Sequence, residues 1–423
     1  MPTHVLAPDA RNWLRRARRV ALKTAGWTVA GQLSLAAGVI AVDAIRKQRD
    51  KGDDPSVPAD QPLHAQVRED RVTTYTYGRA LYDDMLAAID DAQDCVYLAS
   101  YIWKGDAVGQ EFKDAVVRAA ERGVLVCVVF DGFANIVVPR EFKRFPGSVH
   151  VLRFPVVRPG LPLMDLRRTG RDHRKILVVD GHVGFVGGYN IGELYATKWR
   201  DTHVRVEGPG VWELQNSFVD FWNRHRRPSQ PSLPDSGSPH WDSALRAARN
   251  EPSRLVYPVR ALYLEAIDRA MERIWITQGY FIPDQEVLEG LLSAAARGVD
   301  VRVIMPEHSN HVLADIVARY YWTQLLEGGV HLHLYKDLMV HAKTATVDGA
   351  WATIGTANID RLSLRGNYEI NLEIVSQDQA AHMEKVFRRD LERCEEITLE
   401  RWRDRPWHYR VLERTLRPLE AML

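Results

Sequence analysis

The sequence carries one short pattern of chemically reactive residues twice. His173 is followed two residues later by Lys175, and His341 is followed two residues later by Lys343. Residues two apart on a strand project from the same face, so each pair is expected to enter one cleft together. Imidazole is a nucleophile and proton carrier near neutral pH, and an ammonium group neutralises phosphate oxygens. The pattern therefore predicts displacement chemistry at phosphorus, to which each copy of the pattern contributes one His-x-Lys pair.

The similarity of the two copies extends well beyond the histidine and the lysine. Five positions recur at identical spacing: His173, Lys175, Asp180, Gly187 and Asn190 in the first copy, and His341, Lys343, Asp348, Gly355 and Asn358 in the second. Two such matches in one chain are far rarer than a single match to a short motif. We therefore predict an internally duplicated chain whose two halves both contribute to the chemistry.

The later motif positions are expected to have structural and phosphate-binding roles. Asp180 and Asp348 each precede a glycine between apolar runs, a strong signal for a two-residue hairpin turn, so we assign them a structural role. The return strand of each hairpin leads back toward the histidine. Backbone and side-chain amides there are expected to hold phosphate oxygens at four positions: Gly188, Asn190, Thr356 and Asn358.

Two carboxylates complete the predicted site. Asp201 lies 28 residues beyond His173, and Glu369 lies 28 residues beyond His341. A histidine that reacts through one ring nitrogen needs an acceptor at the other nitrogen to fix its tautomer. The equal spacing predicts one orienting carboxylate for each histidine. The alternative interpretation makes both carboxylates solvated surface charges.

The elements that must position these residues also repeat. In each half a helical pattern precedes a strand-like run, 95–103 or 274–282, and a second helix ends at Arg-Gly-Val before a buried strand. Strands that alternate with helices predict an α/β fold: two similar sandwiched domains, each with a mixed sheet and with helices on its faces. Breaker-rich stretches divide the chain into four parts: an anchor and tether at 1–62, a first half at 63–226, a linker at 227–239, and a second half at 240–423 with a helical tail.

The amino-terminal region indicates contact with a membrane. Residues 24–42 form an uncharged, moderately apolar stretch of 19 residues with basic clusters on both sides. This length just spans a bilayer core of about 30 Å as a helix. We predict a membrane anchor, with an interfacial helix and a cleaved signal peptide as the competing interpretations.

Composition excludes several other classes of protein. The chain has 423 residues, which suits two domains, and a formal net charge of +1, so no global field recruits nucleic acid. Its three cysteines, Cys95, Cys127 and Cys394, are scattered, which argues against a disulfide framework or a zinc site. We expect no metal and no cofactor, and the sequence makes no prediction of an oligomeric state.

The two motifs and their surroundings resemble the phospholipase D superfamily, in particular its bacterial cardiolipin synthase branch. Four stretches carry the resemblance: 173–195, 199–209, 280–284 and 341–373. Gly188 and Thr356 stand where the superfamily usually has serine, as they do in cardiolipin synthases. The resemblance implies a metal-free, two-step displacement in which His173 is the nucleophile and His341 the acid and base. It also implies phosphatidylglycerol as donor and acceptor, with cardiolipin and glycerol as products, at the bacterial cytoplasmic membrane.

Three alternatives use the same residues. Attack by water instead of an alcohol would make the protein a hydrolytic phospholipase D. A phospholipase D-like nuclease would bind its substrate through a basic patch at Arg167, Arg168, Arg171 and Arg174. A lipid-binding scaffold without activity would have no need for two complete His-x-Lys pairs.

Overall fold

A computed structural model describes residues 31–32, 34–43, 45, 56–156, 170–235, 237–238 and 244–422. Strands from residues 63–207 form one eight-stranded mixed sheet, and strands from residues 245–397 form a second. The order of the second sheet repeats that of the first, which confirms the predicted duplicated α/β fold. The predicted linker, 227–239, lies between the last helix of the first half and the first strand of the second sheet.

The first sheet has three parallel strands at one edge and five antiparallel strands beside them. Its order is β1-β2-β9-β7-β6-β3-β4-β5. The strands are β1 (Leu63–Val67), β2 (Asp70–Tyr75), β3 (Cys95–Ser100), β4 (Leu125–Asp131), β5 (Val149–Phe154), β6 (Ile176–Val179), β7 (Val183–Gly187) and β9 (His203–Glu207). Strands β3, β4 and β5 run parallel, and β6 pairs antiparallel with β3.

The second sheet repeats seven strands of this plan: it lacks a counterpart of β1 and has one additional antiparallel strand beyond its parallel edge. Its order is β10-β17-β16-β15-β11-β12-β13-β18. The strands are β10 (Leu245–Asn250), β11 (Arg273–Gln278), β12 (Asp300–Pro306), β13 (His331–Tyr335), β15 (Lys343–Val347), β16 (Trp351–Gly355), β17 (Glu369–Val375) and β18 (Cys394–Ile397). Two short strands, β8 (Trp199–Arg200) and β14 (Met339–Val340), pair with each other across the two halves.

Helices pack on both faces of each sheet. The helices of the first half are α2 (Gly78–Asp91), α3 (Ala107–Glu121), α4 (Glu193–Thr197) and α5 (Val211–His225). Those of the second half are α6 (Pro258–Arg269), α7 (Gln285–Ala296), α8 (Val312–Glu327), α9 (Arg361–Arg365), α10 (Gln377–Leu391), α11 (Leu399–Arg403) and α12 (Trp407–Leu416), with 3-10 turns at Pro252–Arg254 and Arg417–Met422. Helices α3 and α7 end at Gly123 and Gly298, whose φ angles of 93° and 91° fit the predicted glycine stops.

The two sheets share an apolar core where the halves meet. Val186 and Val204 from the first sheet cluster with Ala352, Ile354 and Ile370 from the second, and all five are almost completely buried. Burial of such side chains contributes on the order of 1.5–3 kcal/mol for each Val or Ile. The halves are therefore joined by hydrophobic packing, which fixes the cleft between their motifs.

The described part of the amino-terminal segment is helical and contacts the end of the chain. Residues 31–32 and 34–43 are in a helix (α1), and the Gln32 side-chain amide donates a hydrogen bond of 3.0 Å to the Thr415 carbonyl in α12. Residues 24–30 and 33 of the predicted anchor lie outside the described residues. Among the residues that are described, no helix is both long and apolar enough to cross a bilayer.

Candidate active site

Both His-x-Lys pairs lie at the start of the central hairpin of their sheet. Lys175 immediately precedes β6, and Lys343 is the first residue of β15. At the other end of each hairpin, Asp180 and Asp348 have φ angles of 51° and 52° and precede glycines that also have positive φ. Each aspartate accepts three backbone N–H bonds: Asp180 from Gln93, Asp94 and Cys95, and Asp348 from Met271, Glu272 and Arg273. These aspartates therefore stabilise turns away from the reactive pairs.

Each histidine is held by backbone contacts from the opposite half. The His173 N–H donates to the Tyr368 carbonyl at 3.0 Å, and the His341 N–H donates to the Arg200 carbonyl at 2.7 Å. Tyr368 and Arg200 are the residues immediately before Glu369 and Asp201. The same contact thus occurs twice and places each carboxylate beside the histidine of the other half.

The carboxylates contact the histidines in an exchanged arrangement. Asp201 Oδ2 lies 2.7 Å from His341 Nδ1, and the Glu369 carboxylate lies 3.0 Å from His173 Nδ1. The equal spacing in the sequence suggested a partner in the same half, but the structure takes each partner from the other half. Both carboxylates are buried, so the interpretation as solvated surface charges is wrong.

Burial shifts the pKa of every ionisable group in this cluster. It raises the pKa of Asp201 to about 6 and that of Glu369 to about 8. Burial, followed by the charges of both lysines, lowers the pKa of each histidine well below its ordinary value. Each imidazole is therefore neutral near pH 7, the form needed for attack, and each responds to charges from both halves. The two motifs form one electrostatic unit.

The two lysines lie in the same buried cluster. Lys175 Nζ donates to the His173 carbonyl at 2.7 Å, and Lys343 Nζ donates to the His341 carbonyl. Burial lowers the pKa of Lys175 to about 7 and that of Lys343 to about 8. A phosphate diester that enters the cluster supplies negative charge, which favours the protonated form of both lysines.

Two of the predicted phosphate-binding positions contact the carboxylates instead. The Gly188 and Thr356 N–H groups donate to the carbonyls of Thr202 and Ile370, so neither amide is free to bind phosphate. The Thr356 hydroxyl donates to Glu369 at 2.5 Å. A Cβ at Gly188 would lie only 2.1 Å from an Asp201 carboxylate oxygen. We therefore correct the expectation for these two positions: they shape the space that the carboxylates occupy.

The two motif asparagines are buried beside the reactive pairs. Asn190 Oδ1 accepts the Ile102 N–H at 3.2 Å, which orients the side chain and leaves its amide group to face other partners. Asn358 is also buried, and its Oδ1 has no hydrogen-bond partner among the described residues. A buried acceptor without a partner is costly, and it could accept a hydrogen bond from a hydroxyl group of a ligand.

Aromatic rings that the sequence analysis did not identify pack against both histidines. The Tyr101 ring meets His173 edge-on at a centroid distance of 4.6 Å, and the Tyr280 ring meets His341 at 6.3 Å. Trp199 adds a third ring 5.1 Å from His341. Tyr101 and Tyr280 both follow the first parallel strand of their sheet. A tyrosine at this place in both halves is the sequence pattern that could have identified them as site residues. The rings restrict imidazole rotation and help to keep water from the cluster.

Two of the four arginines suggested as a basic patch for a nuclease, Arg171 and Arg174, are engaged in contacts within the protein. Arg174 is buried, pairs with Asp172 through two hydrogen bonds, and lies 4.0 Å from the centre of the Phe221 ring. Arg171 donates to the carbonyls of Pro155 and Val156. Arg167 and Arg168 lie outside the described residues. In the described ranges, no group of three His, Cys, Asp or Glu side chains is arranged to hold a metal ion.

Comparisons with known proteins agree with this fold. A family model described as "Cardiolipin synthase, PLD-like domain" matches residues 85–222 and 263–391. The major cardiolipin synthase ClsA of Bacillus subtilis is 32% identical over 376 residues, covering 85% of this chain and 77% of that protein. Cardiolipin synthase A of Pseudomonas putida is 34% identical over 335 residues, covering 77% and 70%.

A solved structure shows the same fold at low sequence identity. Phosphatidylserine synthase of Haemophilus influenzae superposes with a TM-score of 0.64 at 14% identity, covering 85% of this chain and 94% of that one. Two similar α/β halves with facing His-x-Lys pairs define a protein of the phospholipase D type. Within that class, the chain belongs to the cardiolipin synthase family.

Proposed function

We propose that this enzyme is a phosphatidyltransferase that joins two phosphatidylglycerol molecules into cardiolipin and releases glycerol. The observation that carries the proposal is the pair of buried histidines, each bound at Nδ1 to a carboxylate of the opposite half. With the proton on Nδ1, the Nε2 lone pair of each ring is the one left to react. One site thus holds a nucleophile and a separate acid and base.

The first step cleaves the donor lipid. His173 Nε2 attacks phosphorus and forms a P–N bond, while the P–O bond to the headgroup glycerol breaks. The negative charge of the bound phosphate favours the charged form of His341, so its ring takes up a second proton at Nε2 and gives that proton to the departing glycerol oxygen. Lys175 and Lys343 neutralise the phosphate oxygens as charge develops, and the side-chain NH₂ groups of Asn190 and Asn358 orient those oxygens by donating hydrogen bonds.

The second step forms the product. His341 removes the proton from a hydroxyl of the acceptor phosphatidylglycerol, and that oxygen attacks phosphorus. The P–N bond breaks, and His173 is regenerated. If water entered instead, the product would be phosphatidic acid. The tight packing of Tyr101, Tyr280 and Trp199 around the histidines supports transfer because it limits access of water.

We also propose that the enzyme works at the bacterial cytoplasmic membrane, to which residues 24–42 and their basic flanks bind it. An interfacial helix predicts release by high salt, whereas a spanning helix predicts release only by detergent. Full-length protein in the soluble fraction at low salt would contradict both forms.

Product analysis tests the proposed function. Vesicles that contain labelled phosphatidylglycerol should yield labelled cardiolipin, and a DNA oligonucleotide should remain intact. His173→Gln and His341→Gln should each lower turnover by orders of magnitude, because neither half holds a complete site. The matched control is His331→Gln, since His331 also pairs with a carboxylate, Glu396 at 2.8 Å, but is half-exposed. Phosphatidic acid without cardiolipin, or cleaved DNA, would replace this proposal with one of the alternatives.

A further inference from the structure

The loop after β4 presents large apolar side chains to solvent. Phe133, Ile136 and Val137 are 53%, 60% and 77% exposed. A single exposed apolar residue is ordinary, but three within five residues form a patch that normally has a partner. We call these three side chains the apolar tip.

The apolar tip is held in a defined conformation. Asp131 Oδ1 accepts the N–H groups of Phe133 and Ala134 at 2.8 and 3.0 Å. The Asn135 side chain donates to the carbonyls of Tyr101 and Asp131 and accepts the Trp103 N–H. These hydrogen bonds fix the backbone of the loop in a conformation that exposes the three apolar side chains.

The same contacts connect the tip to the reactive centre. Asn135 binds the Tyr101 carbonyl at 2.8 Å, and the Tyr101 ring packs on His173. From the other side, Arg171, two residues before His173, lies 4.8 Å from the centre of the Phe133 ring. The apolar tip is thus connected to the first-half histidine through Tyr101 on one side and Arg171 on the other.

A group of cations lies close to the tip. Lys143 Nζ donates to the Asn135 carbonyl at 2.8 Å, and its pKa is lowered by burial and then by the nearby cations of Arg153 and Arg140. Glu141 is the acidic neighbour of this group. The exposed apolar side chains and the three nearby cations, Lys143, Arg140 and Arg153, together complement a bilayer that contains anionic lipid.

The equivalent loop of the second half has a different character. After β12 it carries His308, Ser309, Asn310 and His311, and Asn310 accepts a hydrogen bond from the Tyr280 hydroxyl. Since the two loops occupy matching places in a duplicated fold, the contrast assigns the apolar tip to a task that only the first half performs.

We propose that Phe133, Ile136 and Val137 insert into an anionic phospholipid bilayer, so that the His173 side of the cleft opens onto the membrane surface. This proposal rests on the proposed function for the identity of its lipid partner. Its first test measures binding and needs no turnover, so insertion of the tip and the transferase activity can be refuted independently.

A fluorescent probe at the tip tests insertion directly. Full-length Val137→Cys protein, labelled with a polarity-sensitive fluorophore, is mixed with vesicles that contain phosphatidylglycerol. Met271→Cys is the matched control, because Met271 is 82% exposed beside the turn at Asp348, at the opposite end of its sheet from His341. Unsubstituted protein gives the labelling background, since Cys127 is buried and Cys95 and Cys394 are partly buried.

Insertion predicts a blue shift at position 137 and none at position 271. Brominated acyl chains should quench the fluorescence of the probe at position 137. The blue shift should be smaller with purely zwitterionic vesicles and absent with soluble glycerol phosphate. Vesicle-bound protein that shows no blue shift at position 137 would overturn the proposal. A shift produced by glycerol phosphate alone would also overturn it, because a free headgroup would then account for the signal.

A charge substitution tests the functional consequence. Ile136→Asp with Val137→Asp should weaken vesicle binding or raise the KM for vesicle substrate by roughly tenfold or more, because two aliphatic side chains no longer enter lipid. Turnover of a short soluble diester should not change. Met271→Asp is the control at an exposed site. Equal effects on both substrates, or none on the vesicle substrate, would contradict insertion.

Discussion

The exchanged carboxylates make a specific prediction for Asp201→Asn. Asp201 accepts the Thr202 N–H on Oδ1 at 2.7 Å and contacts His341 Nδ1 through Oδ2 at 2.7 Å. In the variant, the Thr202 amide retains the side-chain oxygen, so the new NH₂ group faces Nδ1. Nδ1 must then accept a hydrogen bond, and the imidazole proton moves to Nε2. His341 thereby loses the lone pair that it needs as a base.

The size of the effect follows from the contact that is lost. A hydrogen bond to a charged group contributes about 1.5–3 kcal/mol, and each 1.4 kcal/mol is a factor of ten. We expect kcat to fall about 10- to 100-fold, or further if the tautomer exchange is complete. Burial raises the pKa of Asp201 to about 6, which reflects the cost of burying its charge. A neutral amide avoids that cost, so the Tm should stay level or rise.

Nitrogen chemical shifts of the histidines provide the assay. The Asp201→Asn variant should move the His341 ring resonances toward the Nε2–H tautomer and leave those of His173 in place. Glu369→Gln should do the reverse. Movement of His173 in the Asp201 variant would refute the exchanged pairing, and a kcat within threefold of the wild type would refute the orienting role.

Three further predictions concern the same cluster. Gly188→Ala places a Cβ where Asp201 lies, so kcat should fall at least tenfold and stability by about 1–3 kcal/mol, as measured by kinetics and denaturant unfolding. The pKa of Glu369 is raised by burial from 4.5 to about 8, so its contribution to stability is complete below about pH 4.5 and is lost as the pH rises through 8. The Tm of Glu369→Gln relative to the wild type should therefore be higher at pH 8.5 than at pH 5, and a constant difference would contradict this. Activity should survive excess EDTA, because lysines meet the charge on phosphorus; loss that magnesium or zinc restores would contradict that expectation.

Local features of the site could be predicted from the sequence because they depend on neighbouring residues. Asp180 and Asp348 are each followed by glycine, which predicts a tight turn, and both turns have the expected positive φ angles. The duplicated fold was also predictable, because the same order of helices and strands occurs twice. The His-x-Lys pairs were predicted to lie on strands, but Lys175 immediately precedes β6 and His341 lies two residues before β15, so each pair stands at the entry to a strand.

Other features depend on contacts that no spacing encodes. Equal intervals to Asp201 and Glu369 do not reveal that each carboxylate crosses to the opposite half. The amides of Gly188 and Thr356 looked available because their sheet partners cannot be known before the strands are paired. Arg174 looked like a surface charge, yet the chain buries it against Asp172.

The crossed carboxylates give the chain the contact pattern of an isologous dimer. In such a dimer, a residue i of one subunit meets residue j of its partner, and j meets i in return. Here the two halves belong to one polypeptide, so equivalent positions can differ. Asp201 corresponds to Glu369, and Gly188 corresponds to Thr356. A substitution in one copy is therefore felt by the histidine of the other. Separately produced halves should be inactive alone and regain turnover only when they are mixed.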